Sequence, residues 1–213
     1  SVTDKVELKT QSNFDLLPKD RTILAREMME FRPFGLDEQG HRIRDLSGMS
    51  IRAVVVYLEK SLARERGTIA GSQAIEDLCR LLNLRIKDPV YHVTPEFLKN
   101  AWNSYTCEFT SYLYEFCEHM SGDPRFAYLG GMEKASSVMQ VLARPFSLPQ
   151  IYGMFPYFGN KFASGSLEFR VVEVTPATAT LAMKFSGRAL QQFGPYRRRC
   201  AHLMCQAAQG IMA

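Results

Sequence analysis

Leu98, Trp102, Tyr105, Phe109, Tyr112 and Phe116 follow one another at spacings of 4, 3, 4, 3 and 4 residues. On a helix that rhythm stacks five aromatic rings along one seam. A stripe of rings is ordinarily core packing. Here Tyr105, Tyr112, Tyr114, Tyr152 and Tyr157 bring hydroxyls that a dry core would have to satisfy, and Met132, Met139 and Met154 bring side chains that adapt to irregular shapes. The combination suits a cavity for a planar or fatty apolar molecule, with a few phenolic donors on its wall. Its candidate lining is Trp102, Tyr105, Phe109, Tyr112, Phe116, Met139, Tyr152 and Phe155.

Arg197, Arg198 and Arg199 follow Pro195 at a helix start, where cations oppose the dipole unless an anion is near. They read either as a solvated basic turn or as the contact for a ligand carboxylate, a phosphate or an acidic partner. Of the four histidines, His119 ends the aromatic helix and is the best axial-ligand candidate if haem binds. Its ordinary role there is to complement the helix C-terminus. Cys200 and Cys205 stand five apart and fall on different helical faces, and Cys107 and Cys117 also diverge, so no metal site is expected. GxSxG, Walker, GxGxxG and HExxH signatures are absent, which argues against an enzyme.

With 46% hydrophobic and 23% charged residues in 213, the chain can build one substantial core without staples. A net charge of +4, scattered except at Arg197–Arg199, is too small for a nucleic-acid footprint. Five cysteines without CxxC spacing fit a reducing, cytoplasmic setting. The sequence has neither an N-terminal apolar signal nor a stretch of roughly 18 apolar residues, so no membrane partner is expected.

These candidates must be held by elements that the periodicity predicts. Residues 1–40 read as an N-terminal arm with a short helix over Thr22–Phe31, and residues 41–213 as a single domain. Helices are predicted over Ser50–Arg66 and Ile69–Leu84, parted by Gly67. Thr94-Pro95-Glu96 starts a long aromatic helix that runs to about Met120. Further helices are predicted over Gly131–Ala143 and Gln150–Phe155, with an aromatic loop over Phe155–Asn160. Leu167–Val174 and Thr178–Phe185 alternate as a hairpin, and a closing helix opens at Pro195. Its face of Tyr196, Cys200, Leu203, Ala207 and Ile211, with small Ala201 and Ala208, suits close helix packing. The expected class is α+β: a helix-rich domain with a small antiparallel sheet from the C-terminal hairpin and a closing C-terminal helix.

The order of these elements carries a resemblance. Its features are the Gly-rich stretch ending at Gly48, the helix Ser50–Arg66 with its Gly67 break, the long middle helices, the hairpin Ser166–Phe185, and Cys200-Ala-His-Leu-Met-Cys205 running into Gly210-Ile-Met. Residues 40–213 resemble the superfamily of 4-vinyl reductase-type domains, haem-NO-binding-like domains and TRAPP vesicle-tethering subunits. The resemblance implies a pocket between helices and sheet for a small apolar molecule or haem. It also implies dimerisation and a place beside an effector such as a nucleotide cyclase, histidine kinase or σ54 activator. The zinc-binding cysteine cluster of phenol-sensing members is absent. Tyr196-Arg-Arg-Arg199 has Arg198 where the haem-propionate motif has Ser, so neither zinc nor haem is carried over.

The expected function is a non-catalytic sensory or regulatory domain of a bacterial signal-transduction protein, binding a small hydrophobic or aromatic ligand. The expected state is a homodimer whose closing helix leads to a C-terminal effector domain, since the chain ends inside an apolar helical pattern. A haem-based gas sensor, a ligand-free TRAPP-like scaffold and an enzyme acting on a tetrapyrrole are the alternatives.

Overall fold

In the computed structural model, which describes residues 32–135, 145–163, 165–176 and 178–212, the chain is helix-rich with two small antiparallel sheets and a closing C-terminal helix. This is the α+β class expected from the sequence.

Helix α1 (Gly48–Arg66) starts where the Ser47 hydroxyl accepts the Met49 amide, and it buries Ile51, Val54, Val55, Leu58 and Leu62 on one face. It stops at Gly67, whose φ of +92° lies in the left-handed region that favours glycine. Helix α2 (Thr68–Asn83) folds back on it so closely that a Cβ at Gly71 would stand 2.7 Å from the Glu59 carbonyl oxygen. Residues 32–45 are already docked: Pro33 is buried, and the Thr106 amide and hydroxyl donate to the carbonyls of Pro33 and Arg32.

The long helix expected from Thr94 to Met120 is broken. Helix α3 (Pro95–Lys99) begins as predicted, with Thr94 accepting the Phe97 amide, but it ends at once. Asn103 takes over the local polar groups: its side-chain amide donates to the Phe97 carbonyl at 2.9 Å and its carbonyl accepts the Gly48 amide at 2.7 Å. Strand β2 (Ser104–Tyr105) then pairs antiparallel with β1 (Leu46–Ser47), and Thr106 caps a new helix, α4 (Cys107–Ser121), by accepting the Phe109 amide. Asn100, which accepts the Trp102 amide at 3.0 Å, Asn103 and a second N-cap outweigh the continuous apolar rhythm.

Every residue of α4 from Cys107 to Cys117 is buried, because helices α1, α2, α5 (Phe126–Ala135), α7 (Gly187–Phe193) and α8 (Arg197–Met212) all pack against it. A helix surrounded in this way is the centre of the core. Residues 136–144, with Met139 and most of the helix predicted over Gly131–Ala143, lie outside the described residues.

Helix α6 (Leu148–Phe162) runs straight through the loop predicted at Phe155–Asn160, despite Pro156. Packing on the hairpin of β3 (Leu167–Val174) and β4 (Ala179–Phe185) explains this. Phe155 meets the Phe169 ring edge-on at 5.3 Å, and Gly159 lies flat against the same ring. Asn160 mimics a neighbouring strand, accepting the Phe169 amide at 2.7 Å and donating to its carbonyl at 3.3 Å. The hairpin pairs Leu167 with Phe185 and holds register except for a bulge between Val171 and Glu173.

Helix α8 buries Cys200, Ala201, Leu203, Met204, Ala207, Ala208 and Gly210. Against α5 the backbones nearly touch: a Cβ at Gly210 would overlap the Tyr128 carbonyl, and one at Gly131 the Ala207 carbonyl.

Candidate functional site

Along one side of α4 stand Glu108, Tyr112, Glu115 and Glu118, at spacings of 4, 3 and 3. Acidic side chains are rarely buried unless paired, and each of these has a partner. The Tyr112 hydroxyl donates to Glu108 Oε1 at 2.9 Å. Arg199, from the first turn of α8, donates through Nε to Glu115 Oε1 at 2.7 Å and through Nη2 to Glu118 Oε2. Burial pushes the Glu118 carboxyl up to about 7, with the Arg199 charge opposing it.

A second polar node closes the side facing the hairpin. Asp45 is buried, accepts the Ser166 hydroxyl and pairs with Arg188 Nη2 at 3.2 Å. Arg188 also donates to the Gly165 carbonyl at 3.1 Å, and the Asp45 amide donates to Ser104 Oγ at 2.7 Å. The node thus joins the segment before α1, the turn before β3, and α7. Cys107, at the first position of α4, lies within the field of this node; burial above all, then Asp45 and Cys200, holds its thiol well above the usual range. A thiol held neutral is a poor nucleophile.

The predicted lining divides into two sets. Tyr105 is fully buried, stacks on Phe109 at 5.6 Å and donates to the Phe97 carbonyl at 2.6 Å. Tyr112 and Phe116 continue this set along α4, both buried. Phe97 and Phe34 extend it outward through ring contacts, and Arg42 lies over Phe34 at 4.1 Å. The second set is on α6. Tyr152 is buried and donates to the Met212 carbonyl at 2.8 Å, while Phe155 packs on Phe169.

Two expectations need correction. Trp102 is 95% exposed: it sits in the turn between α3 and β2, and the broken helix turns its ring into solvent instead of along the seam. Arg197, Arg198 and Arg199 do not act as one anion site, because Arg197 and Arg198 are exposed while Arg199 is committed to two carboxylates of the same chain. His119, the axial-ligand candidate, is exposed at the end of α4. Among the described residues no group of three or more His, Cys, Asp or Glu side chains is placed to hold a metal, and no helix is long and apolar enough to cross a membrane.

Asp45, Glu108, Glu115, Ser166 and Arg188 escaped the sequence reading. Glu108 and Glu115, seven apart within an aromatic run, carried a usable signal. Asp45 and Arg188, far apart in the chain, carried none. No protein-family model, curated protein or solved structure matches the chain.

Proposed function

We propose that this is a non-catalytic sensory or regulatory domain that binds a small hydrophobic or aromatic molecule beside α6 and the hairpin and reports its occupancy through α8. The observation that carries this reading is the bond from Tyr152 to the Met212 carbonyl: a residue of the candidate lining is tied directly to the last turn of the closing helix. Burial raises the Tyr152 hydroxyl pKa, which keeps the group a neutral donor. The rest of α8 is held through Arg199 to α4 and through glycine contacts to α5, so a small change beside α6 has a continuous packed route along it. In the resembling superfamily such a helix leads to an effector domain, and we extend that role to this one.

Palmitate, 4-methylphenol and protoporphyrin IX sample fatty, phenolic and tetrapyrrole chemistry. A site filled at a hundred times its dissociation constant stabilises by about 2.7 kcal/mol, enough to move a melting curve visibly. At least one of the three is expected to raise the melting temperature, and a flat response to all three overturns the reading. Trp102 fluorescence is unsuitable for this test, since its ring stands in water.

The dimeric scaffold is the second reading. The outer face of α6 supports it by exposing Met154, Tyr157 and Phe158 together. Light scattering of the purified domain tests it: a monomer excludes the scaffold, and a dimer whose melting temperature responds to none of the three compounds favours it.

A further inference from the structure

Trp102, the sole tryptophan of the chain, stands with its ring in water at the turn between α3 and β2. That turn is seated on the start of α1. A Cβ at Gly48 would stand 2.7 Å from the Asn103 carbonyl oxygen and 3.0 Å from that of Ala101, and the next residue, Met49, is itself 52% exposed. Two exposed guanidinium groups flank this apolar tip. Arg42 donates to Asn103 Oδ1 at 3.2 Å, and Arg52 follows Met49 by one turn of α1. Among the described residues neither arginine is paired with a carboxylate. The nearby acids are engaged or set apart: Glu59 pairs with Lys99, and Asp37 accepts the Gln39 and His41 amides. Glu38 lies at the tip of the turn between Leu36 and Arg42, and Glu96 at the opposite end of α3 from Trp102.

The backbone of the turn is already satisfied from within. The Asn100 amide donates to the Phe97 carbonyl at 3.3 Å, the Trp102 amide to Asn100 Oδ1 at 3.0 Å and the Asn103 amide to the Asn100 carbonyl at 3.2 Å, while the Asn103 carbonyl accepts the Gly48 amide. Amides engaged in this way need no water, so the tip can enter a poorly hydrated layer without leaving these donors unpaired.

We propose that the α3–β2 turn is a peripheral contact with an anionic lipid bilayer, in which Trp102 and Met49 enter the interfacial layer and Arg42 and Arg52 meet the headgroups. Tryptophan suits that layer because its ring is apolar while its indole N–H keeps a polar partner. Basic side chains beside it add attraction to the negative surface. Such a contact requires neither a spanning helix nor an apolar N-terminal signal, the two features on which the expectation of no membrane partner rests. A single-stranded nucleic acid fits less well, since it needs a basic groove with several rings in succession, and here one ring stands on a projecting turn. The turn is built from elements other than α6 and the hairpin, so the contact stands independently of the sensory reading.

Because Trp102 is the only tryptophan, its emission reports the contact in the wild-type protein without any variant. Vesicles of phosphatidylcholine with about one third phosphatidylserine are expected to shift that emission to the blue, and about 0.5 M salt to reverse much of the shift. No shift, or an equal shift with phosphatidylcholine alone, overturns the proposal. A spectrum that answers to an oligothymidylate and not to the vesicles places a nucleic acid there instead and also overturns it. Co-sedimentation with the same vesicles tests the residues. Trp102→Ala removes a ring that packs on nothing, so its melting temperature should match the wild type while its binding falls at least about tenfold. Arg52→Gln should weaken binding by about fivefold. A folded Trp102→Ala that sediments like the wild type overturns the contact.

Discussion

The Tyr152 hydroxyl reaches the Met212 carbonyl at 2.8 Å, and so the second turn of α6 holds the last residue of α8. The carbonyls of a final helical turn have no partner within their own helix. Tyr152 supplies one from the element that also grips the hairpin.

Replacing Tyr152 by Phe keeps the ring and removes the donor. The expected cost is about 1 kcal/mol, typical of one hydrogen bond. Amides in the last turn of α8 should exchange faster with solvent while those of α4 stay as slow as in the wild type. Uniform acceleration across both helices would mean that the bond supports global stability and no local hold.

The α5–α8 contact admits no side chain at two positions. A methyl group at Gly131 or Gly210 meets backbone carbonyl oxygens, which cannot swing aside like a side-chain end. Gly131→Ala and Gly210→Ala are each expected to cost about 1–3 kcal/mol. On α6, Gly153 faces open space, so Gly153→Ala should instead stabilise by about 0.5–1 kcal/mol through a less flexible unfolded chain. Thermal melts of the three variants check both signs.

Asp45 depends on Arg188 for charge balance. Burial raises the Asp45 pKa, while the Ser166 hydrogen bond and then the Arg188 charge oppose the rise. Arg188→Met strips away the cation and should destabilise by about 3–5 kcal/mol at neutral pH, the scale of an uncompensated buried charge. A carboxyl with a raised folded pKa stabilises while protonated and loses that stabilisation as pH rises. The Arg188→Met deficit should therefore be smaller at about pH 4 than at about pH 7. Adding Asp45→Asn should recover part of it, as urea unfolding of the single and double variants will measure.

The sequence made the elements legible where local chemistry acts alone. The apolar face of α1, the Gly67 break, the Thr94-Pro95 start and the alternation of Leu167–Val174 all correspond to what forms. Reading failed where tertiary partners decide. Asn103 ends α3 by bonding Gly48, far back in the chain, and Phe169 with its Asn160 cap keeps α6 helical past Pro156. For the site, the rings from Tyr105 to Phe116 were visible as a rhythm, but the polar groups that give the interior its charge were not. Asp45 and Arg188 meet only through the fold, and Arg199 looked like one of three equal arginines until α4 supplied its carboxylates.

The central claim is that an apolar molecule beside α6 changes the hold on α8. Hydrogen exchange of the whole domain, measured with and without palmitate, 4-methylphenol and protoporphyrin IX, tests it most directly. At least one compound is expected to slow exchange in α6 around Tyr152 and in the last turn of α8 together. A compound that protects α6 while leaving α8 untouched, or a panel that protects neither, would contradict the account.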